Sequence, residues 1–217
     1  MSDQNTSGAV NAPDAPRTWH VMLDLETLST RKDAAVFQIA ALCFDPATGE
    51  TGPAFCEFID SSELAGHLDP STVMWWMQQK ASADVSLRWA TNSQPRALVL
   101  GEFFGWLRAL HVVALWSHGA TFDIVVLENQ YTSIDQDKPW SYRVERDTRT
   151  LYALACADGK PPAVPTDPTR KHDAAYDCEV QAQQVSLAWR ALFSLPAREL
   201  PDSVRDAIHA AALDTLV

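Results

Sequence analysis

The chain has 217 residues, of which 47% are hydrophobic and 21% are charged, as is usual for soluble globular proteins. Its length suits one domain, and its 8 Gly and 13 Pro exclude collagen-like, fully disordered and coiled-coil proteins. Uninterrupted apolar runs such as the six residues from Ile39 to Phe44 are far short of the roughly 20 that cross a bilayer. A transmembrane helix is therefore excluded.

The net charge of −11 is unevenly distributed along the sequence. Residues 140–190 hold seven basic and seven acidic side chains, so this stretch is neutral and the rest of the chain carries the whole negative charge. A broad cationic surface for nucleic-acid phosphates is not expected, because such binding depends on Lys and Arg. A local phosphate-binding site remains compatible with the sequence.

The first 17 residues are polar and contain Pro, without the basic start and apolar core of a signal peptide. They predict a disordered leader, followed by one domain over residues 18–217. The four cysteines lack any spacing that would build a zinc site, which argues against a zinc-binding interaction domain. With no secretion signal, we predict reduced thiols in a cytoplasmic protein.

Hydrophobic periodicity predicts a mixed order of strands and helices. Three strands and then two helices are expected over residues 19–25, 36–44, 54–59, 69–90 and 98–110. Strand, helix, strand and three helices follow over 112–116, 121–129, 142–145, 148–155, 174–192 and 202–217. This order predicts an α/β domain with a mixed β-sheet flanked by α-helices.

The first predicted strand carries two carboxylates on one face, Asp24 and Glu26. At ~5 Å and an effective dielectric of about 20, two such charges repel by roughly 3 kcal/mol, so a site that gathers several of them needs a bound cation. Carboxylate oxygens favour magnesium or manganese over zinc. Taken alone, the pair is more typical of two solvated charges at a strand end.

Two further motifs follow strand–turn–helix boundaries. Asp123 falls in the first helical turn after a strand and Gly119, where the helix dipole favours an acid, although an ordinary helix start has the same pattern. His172 and Asp177 are five residues apart, a rotation of about 500° on an ideal helix, so they would not share a helical face. His172 is therefore predicted at or before the helix start, with Asp177 anchored on the helix.

In their order and spacing, these three motifs resemble the DEDDh family of 3′-to-5′ exonucleases, which share a ribonuclease H-like fold. The resemblance runs from about Trp19 to Leu192. The segments LDLETLST, FDPATGE, STVMWWM and RDTRT further resemble the bacterial and phage branch related to mycobacterial exoribonuclease and exonuclease VIII-type domains.

The resemblance implies that four carboxylates hold two Mg²⁺ or Mn²⁺ ions and that His172 is the general base, the carboxylates being Asp24, Glu26, Asp123 and Asp177. Two such ions, about 3.5–4 Å apart, lower the pKa of the attacking water and neutralise charge on the phosphate and the leaving oxygen. A neutral imidazole can accept the proton of that water near pH 7.

The implied activity is metal-dependent hydrolysis of phosphodiester bonds from the 3′ ends of single-stranded or overhanging nucleic acid. The products are 5′-mononucleotides, with RNA slightly favoured over DNA as the substrate. Two alternatives stay open: the same chemistry on DNA in a phage or repair context, and a catalytically idle nucleic-acid-binding module. The complete set of five residues argues against the idle module. Relatives in this family often form dimers, so a homodimer is a further expectation.

The resemblance also points to substrate-binding residues. Leu25 and Thr27 flank the acids, where the family contacts the terminal nucleotide, although packing at a strand end explains them equally well. Trp75 and Trp76 point roughly 100° apart on a helix, so one can be buried while the other stacks on a base, and Trp76 is the candidate.

Two arginines near a predicted helix start, Arg146 and Arg149, are suited to phosphate contact. Ion pairs with Asp147 or Glu145 are the more common outcome for such residues. The sequence leaves the choice open.

Overall fold

A five-stranded sheet organises the chain in the computed structural model, which describes residues 17–79 and 82–193, without the side chain of Ser82. The strands are β1 (Thr18–Thr27), β2 (Val36–Phe44), β3 (Thr51–Phe58), β4 (His111–Ser117) and β5 (Glu145–Asp147). They lie in the order β3-β2-β1-β4-β5. β2 is antiparallel to both of its neighbours, β1 and β3, whereas β4 is parallel to β1 and β5 is parallel to β4. The predicted mixed sheet is confirmed.

Six helices flank this sheet in the described ranges. They are α1 (Pro70–Gln78), α2 (Ser82–Asn92), α3 (Arg96–Arg108), α4 (Asp123–Thr132), α5 (Thr148–Ala155) and α6 (Ala174–Phe193). The predicted leader, apart from residue 17, and the predicted helix over 202–217 lie outside the described residues.

Both faces of the sheet are buried, because β1 alternates between two apolar clusters. Val21 and Leu23 face α3 and α4 in one cluster, whereas Met22 faces α5 and α6 in the other. Asp24 and Glu26 continue the Met22 face along the same strand. The alternation thus directs both acids towards α6.

The helix predicted over residues 69–90 is wrong in one respect, because the chain forms two helices there. Asp69 caps α1 by accepting a hydrogen bond from Ser71 N–H, and Gln79 is extended after its end. Trp76 of α1 and Trp89 of α2 both contact the ring of Phe37, with centroids 5.2 and 4.6 Å away. In one straight helix these tryptophans would be about 20 Å apart along the axis, so they could not share that contact.

The strand predicted over residues 142–145 is also wrong. Tyr142–Val144 forms a 3₁₀ turn, and Ser141 caps it by accepting a hydrogen bond from Arg143 N–H. β5 begins after this turn and pairs with the end of β4. The side-chain cap holds a tight turn where residue preferences alone favour a strand.

No helix in the described ranges is long and apolar enough to cross a membrane. The four cysteines lie in these ranges and form no disulfide there. Cys43 and Cys178 are buried, and burial raises the thiol pKa of both. They behave as core side chains.

Candidate active site

The end of β1 presents its two acids where the sheet opens. β1 pairs with β2 as far as Thr27, but its pairing with β4 ends at Met22. Beyond Met22, the start of α4 and the start of α6 can approach the strand. Glu26 is only 7% exposed there, and Asp24 Oδ1 accepts a hydrogen bond of 2.8 Å from Gln181 Nε2 of α6.

Asp123 is the first residue of α4 and is buried at 6% exposure. The turn that precedes it contains Gly119, whose φ of +110 lies in the region that favours glycine. Asp147 holds this turn by accepting a hydrogen bond of 2.8 Å from the backbone N–H of Ala120. The acid therefore reaches the site from a rigid turn between β4 and α4.

His172 and Asp177 occupy the positions predicted for them. α6 begins at Ala174, so His172 precedes the helix and Asp177 lies in its first turn. His172 has a φ of 66, and its backbone N–H donates a hydrogen bond to Asp177 Oδ2 over 3.2 Å. The imidazole ring meets the ring of Trp75 edge-on, with centroids 4.8 Å apart.

These elements bring together side chains that are up to 151 residues apart in the sequence. Glu26, His172 and Asp177 each offer one ligand atom, and these atoms all lie within 4.8 Å of one another. Asp24 and Asp123 lie outside that closest group. They are still near enough that the charges of Asp123 and Asp177 raise the pKa of Asp24.

The carboxylates are held in conditions that disfavour their charge. Burial raises the pKa of Asp123 to about 7 and that of Asp177 to about 6. Burial, followed by the charge of neighbouring carboxylates, raises the pKa of Asp24 and Glu26 well above their ordinary values. A cation between them would reverse this effect by favouring the ionised forms.

The donor set fits a hard divalent cation. Across the described residues, none of these four carboxylates forms an ion pair with a Lys, Arg or His side chain. Gln181 Oε1 is buried beside Asp24 without a hydrogen-bond partner in the described part of the chain, a position suited to a metal-bound water. Oxygen ligands of this kind match magnesium or manganese.

A cleft of about 480 Å³ opens beside Glu26. Its apolar walls come from Leu25, Trp75, Trp76 and Phe122, and its hydroxyl groups come from Thr27, Ser29, Thr30, Ser71 and Thr72. Aromatic walls with a few hydroxyls suit a base and its attached sugar.

The two tryptophans differ in exposure, as the helical geometry predicts. Trp76 is partly buried, and its Nε1 donates a hydrogen bond of 3.0 Å to the carbonyl of Thr27, which anchors α1 on the end of β1. Trp75 is 39% exposed and stands between the cleft and His172. The sequence singled out Trp76 for stacking. Both rings line the cleft, and Trp75 is the more accessible one.

The two arginines form neither of the expected ion pairs within the described residues. Arg146 Nη1 donates to the carbonyls of Arg143 and Glu145. The Arg149 guanidinium covers Gly119 so closely that a Cβ there would lie 3.0 Å from Nη1. Burial raises the pKa of Asp123, and the charge of Arg149 offsets a small part of that rise. Arg149 thus places a positive charge beside the acidic site.

Sequence reasoning missed three residues of this region. Gln181 follows Asp177 by four positions, one helical turn, which could have placed it on the same face. Gln38 is the one polar residue of the otherwise apolar β2, and Phe122 directly precedes a candidate ligand. Each had a local signal, but none belongs to a motif.

A family model matches the sequence from β1 into α6. The model of the 3′-5′ exoribonuclease Rv2179c-like domain matches residues 19–189. The chain belongs to this family. As an Rv2179c-like domain, it is a 3′-5′ exonuclease by family, which confirms that prediction. A comparison with curated proteins finds no significant match.

Solved structures of exonuclease I share the fold of this Rv2179c-like domain. E. coli exonuclease I in a zinc-bound complex with single-stranded DNA has a TM-score of 0.59 at 15% identity, over 82% of this chain and 42% of that one. The E. coli enzyme with a dT13 oligonucleotide has a TM-score of 0.54 at 16% identity, over 80% of this chain and 41% of that one. The chain spans less than half the length of these exonuclease I chains. The likeness confirms the ribonuclease H-like fold.

Proposed function

We propose that this domain removes 5′-mononucleotides from the 3′ ends of single-stranded or overhanging RNA in a reaction that needs two Mg²⁺ or Mn²⁺ ions. The observation that carries the proposal is the position of the aromatic cleft directly beside the cluster of Glu26, His172 and Asp177. A terminal base in the cleft would bring its phosphodiester to the carboxylates. The walls of the same cleft would obstruct an internal nucleotide of the substrate, so the site favours the end of the strand.

Four carboxylates would hold the ions, namely Asp24, Glu26, Asp123 and Asp177. When bound, such ions activate water and offset negative charge on the attacked phosphate. Gln181 orients Asp24 through its 2.8 Å hydrogen bond, and the backbone of His172 orients Asp177. The protein therefore prepares the site before any substrate arrives.

His172 would accept the proton of the attacking water at a ring nitrogen. Burial and the charge of Lys171 lower the pKa of His172, so its neutral form prevails at pH 7. Contact with Trp75 limits the movement of the ring. Because the histidine precedes α6 on a turn, its imidazole reaches the site without sharing the helical face of Asp177.

RNA is favoured because the family is described as exoribonuclease and because the cleft carries hydroxyl groups. Thr72 lies beside Trp75 and Trp76, where its hydroxyl can meet a ribose 2′-OH. DNA is the second candidate, since the exonuclease I structures hold single-stranded DNA on the same fold. A cytoplasmic location and a homodimer complete the proposal, the homodimer because relatives in this family often form dimers.

The test uses the full chain with 5′-labelled single-stranded RNA and DNA of one sequence, incubated with Mn²⁺. We expect a ladder that shortens from the 3′ end, faster on RNA, and that stops on chelation. The Asp123→Asn variant should leave both substrates intact, which excludes a contaminating nuclease. Immediate release of a labelled mononucleotide, or internal cuts without a ladder, would contradict the proposal.

A further inference from the structure

Asp173, next to the candidate general base, is a buried carboxylate with partners from two separate elements. It is 7% exposed, and its Oδ1 accepts a hydrogen bond of 3.0 Å from Gln38 Nε2 of β2. Its Oδ2 lies 2.8 Å from Arg88 Nη2 of α2. This is an ion pair by distance, although the N–H is not aligned as a hydrogen bond. The contacts with Gln38 and Arg88 together fix the position of this buried carboxylate.

Gln38 connects Asp173 to the acidic site through the sheet. It is fully buried, and it stands directly opposite Glu26 in the β1–β2 pairing. Its Oε1 also accepts a hydrogen bond of 3.3 Å from the backbone N–H of Ala174, the first residue of α6. One side chain therefore sets the start of α6 relative to the strand that carries Glu26.

Arg88 connects the same carboxylate to the helices that line the cleft. Its guanidinium also contacts Asp84 of α2 at 2.9 Å, on the exposed side. The other helix of this pair, α1, touches the imidazole of His172 through Trp75. In this pair of helices, α1 contacts the ring of His172 directly, and α2 holds the next residue, Asp173, through the ion pair with Arg88.

The backbone of His172 needs such support. A positive φ is uncommon for residues other than glycine, and it persists where the surroundings overdetermine it. The hydrogen bond from His172 N–H to Asp177 holds one side of the turn. Asp173 holds the other side, since its carbonyl also accepts the helical hydrogen bond from Asp177 N–H.

We infer that Arg88 and Gln38 are positioning residues for His172, which act by clamping Asp173 at the start of α6. This inference rests on the proposed function, in which His172 is the general base. In the contacts described, neither side chain lines the cleft or forms a hydrogen bond or ion pair with the side chains of the four candidate ligands. Their loss should therefore affect the rate at saturating substrate more than binding of substrate or metal.

The experiment compares Arg88→Met, Arg88→Lys and Gln38→Met with the wild type. Arg17→Met is the matched control, because Arg17 also forms an ion pair of 2.8 Å, with Glu50, at the opposite end of β1. We measure kcat, KM and the melting shift caused by Mn²⁺, and amide hydrogen exchange over residues 168–176. Arg88→Met/Asp173→Asn is included because it leaves no unpaired buried carboxylate and keeps an amide that can cap α6.

We expect Arg88→Met and Gln38→Met to lower kcat by about tenfold or more, as is usual for partners that orient a functional side chain. KM should stay within about threefold of the wild-type value. The melting shift caused by Mn²⁺ should stay within a few degrees of the wild-type shift. Exchange over 168–176 should rise, Arg88→Lys should recover part of kcat, and Arg17→Met should match the wild type. If Arg88→Met does not fold, the double variant carries the same expectation.

Wild-type kcat with unchanged exchange in the folded variants would overturn the inference while leaving the proposed function intact. An equal loss of kcat and of the Mn²⁺ shift would also overturn it, because that result indicates general distortion of the site. An inactive wild type would instead overturn the proposed function, and the exchange measurement would still report whether Arg88 and Gln38 hold the turn.

Discussion

The backbone N–H of His172 donates a hydrogen bond to Oδ2 of Asp177 over 3.2 Å. The carboxylate that would bind metal therefore also holds the turn that carries the candidate base. In return, this hydrogen bond lowers the pKa of Asp177, although burial raises it overall to about 6. Metal binding and the position of the histidine are linked through one carboxylate.

Asp24→Asn should abolish turnover and stabilise the metal-free fold. The change removes one of several repelling buried charges, while the amide oxygen can still accept the hydrogen bond from Gln181. The free energy of unfolding at pH 8 should increase, because burial and the neighbouring carboxylates disfavour the charge that this change removes. Urea unfolding with EDTA and a nuclease assay measure both effects. Activity within about tenfold of the wild type would contradict the metal site.

Without metal, the free energy of unfolding should fall as pH rises from about 4 to about 7. The pKa values of Asp123, about 7, and Asp177, about 6, exceed their ordinary value of 3.8, so the folded state binds more protons than the unfolded state through this window. The stabilisation that the protonated Asp123 and Asp177 contribute is fully present below their unfolded pKa, and it is lost as the two carboxyls ionise in the folded state.

Added Mn²⁺ should remove that loss, because it binds the ionised carboxylates. The increase in melting temperature with Mn²⁺ should thus be larger at pH 8 than at pH 5. Asp123→Asn is the comparison, and its metal-free stability should depend less on pH. Equal shifts at both pH values would count against metal binding by these groups.

His172→Ala should lower kcat by about 10²-fold or more, the usual contribution of a positioned general base. The melting shift with Mn²⁺ should stay near that of the wild type. Because burial lowers the pKa of His172, the wild-type rate should rise through a midpoint below 6.5, and the variant should lose this limb. His111→Ala, on the exposed start of β4, is the matched control. A retained limb in His172→Ala would make the histidine a bystander.

Trp75→Ala should weaken binding of single-stranded RNA by about 5- to 150-fold, since stacking of a base on an aromatic ring is worth about 1–3 kcal/mol. Trp75→Phe should restore most of the affinity. Binding is measured in Ca²⁺, whose looser coordination is expected to support little turnover. Met77→Ala, 75% exposed on the same helix but not among the residues lining this cleft, should bind as the wild type. Unchanged affinity in Trp75→Ala would exclude stacking on this ring.

Arg149→Ala should weaken binding of RNA and reduce its dependence on salt. If the guanidinium beside Gly119 contacts one phosphate, the slope of log affinity against log salt should decrease by about 0.7 for a single strand. Arg108→Ala, on the exposed end of α3, is the control. Identical slopes for Arg149→Ala and the wild type would show that Arg149 does not contact a phosphate and has a structural role only.

Local sequence patterns predicted the elements that carry the site. Strict alternation placed Asp24 and Glu26 on one face of β1, and β2 and α5 have the predicted bounds. The rotation of 100° per residue was enough to put His172 before α6. These features depend on residues that are close in the sequence, and this is the range over which hydrophobic periodicity predicts strands and helices.

Tertiary contacts decided the rest. The break between α1 and α2 depends on both helices packing against Phe37, a residue more than 30 positions away. Gln38 and Arg88 acquire their roles only when α6 brings Asp173 between them. The raised pKa values of the acids likewise come from burial by α4 and α6, which no spacing along β1 encodes. Burial and long-range pairing are properties of the assembled layers, so sequence periodicity identified the acids, and packing made them a site.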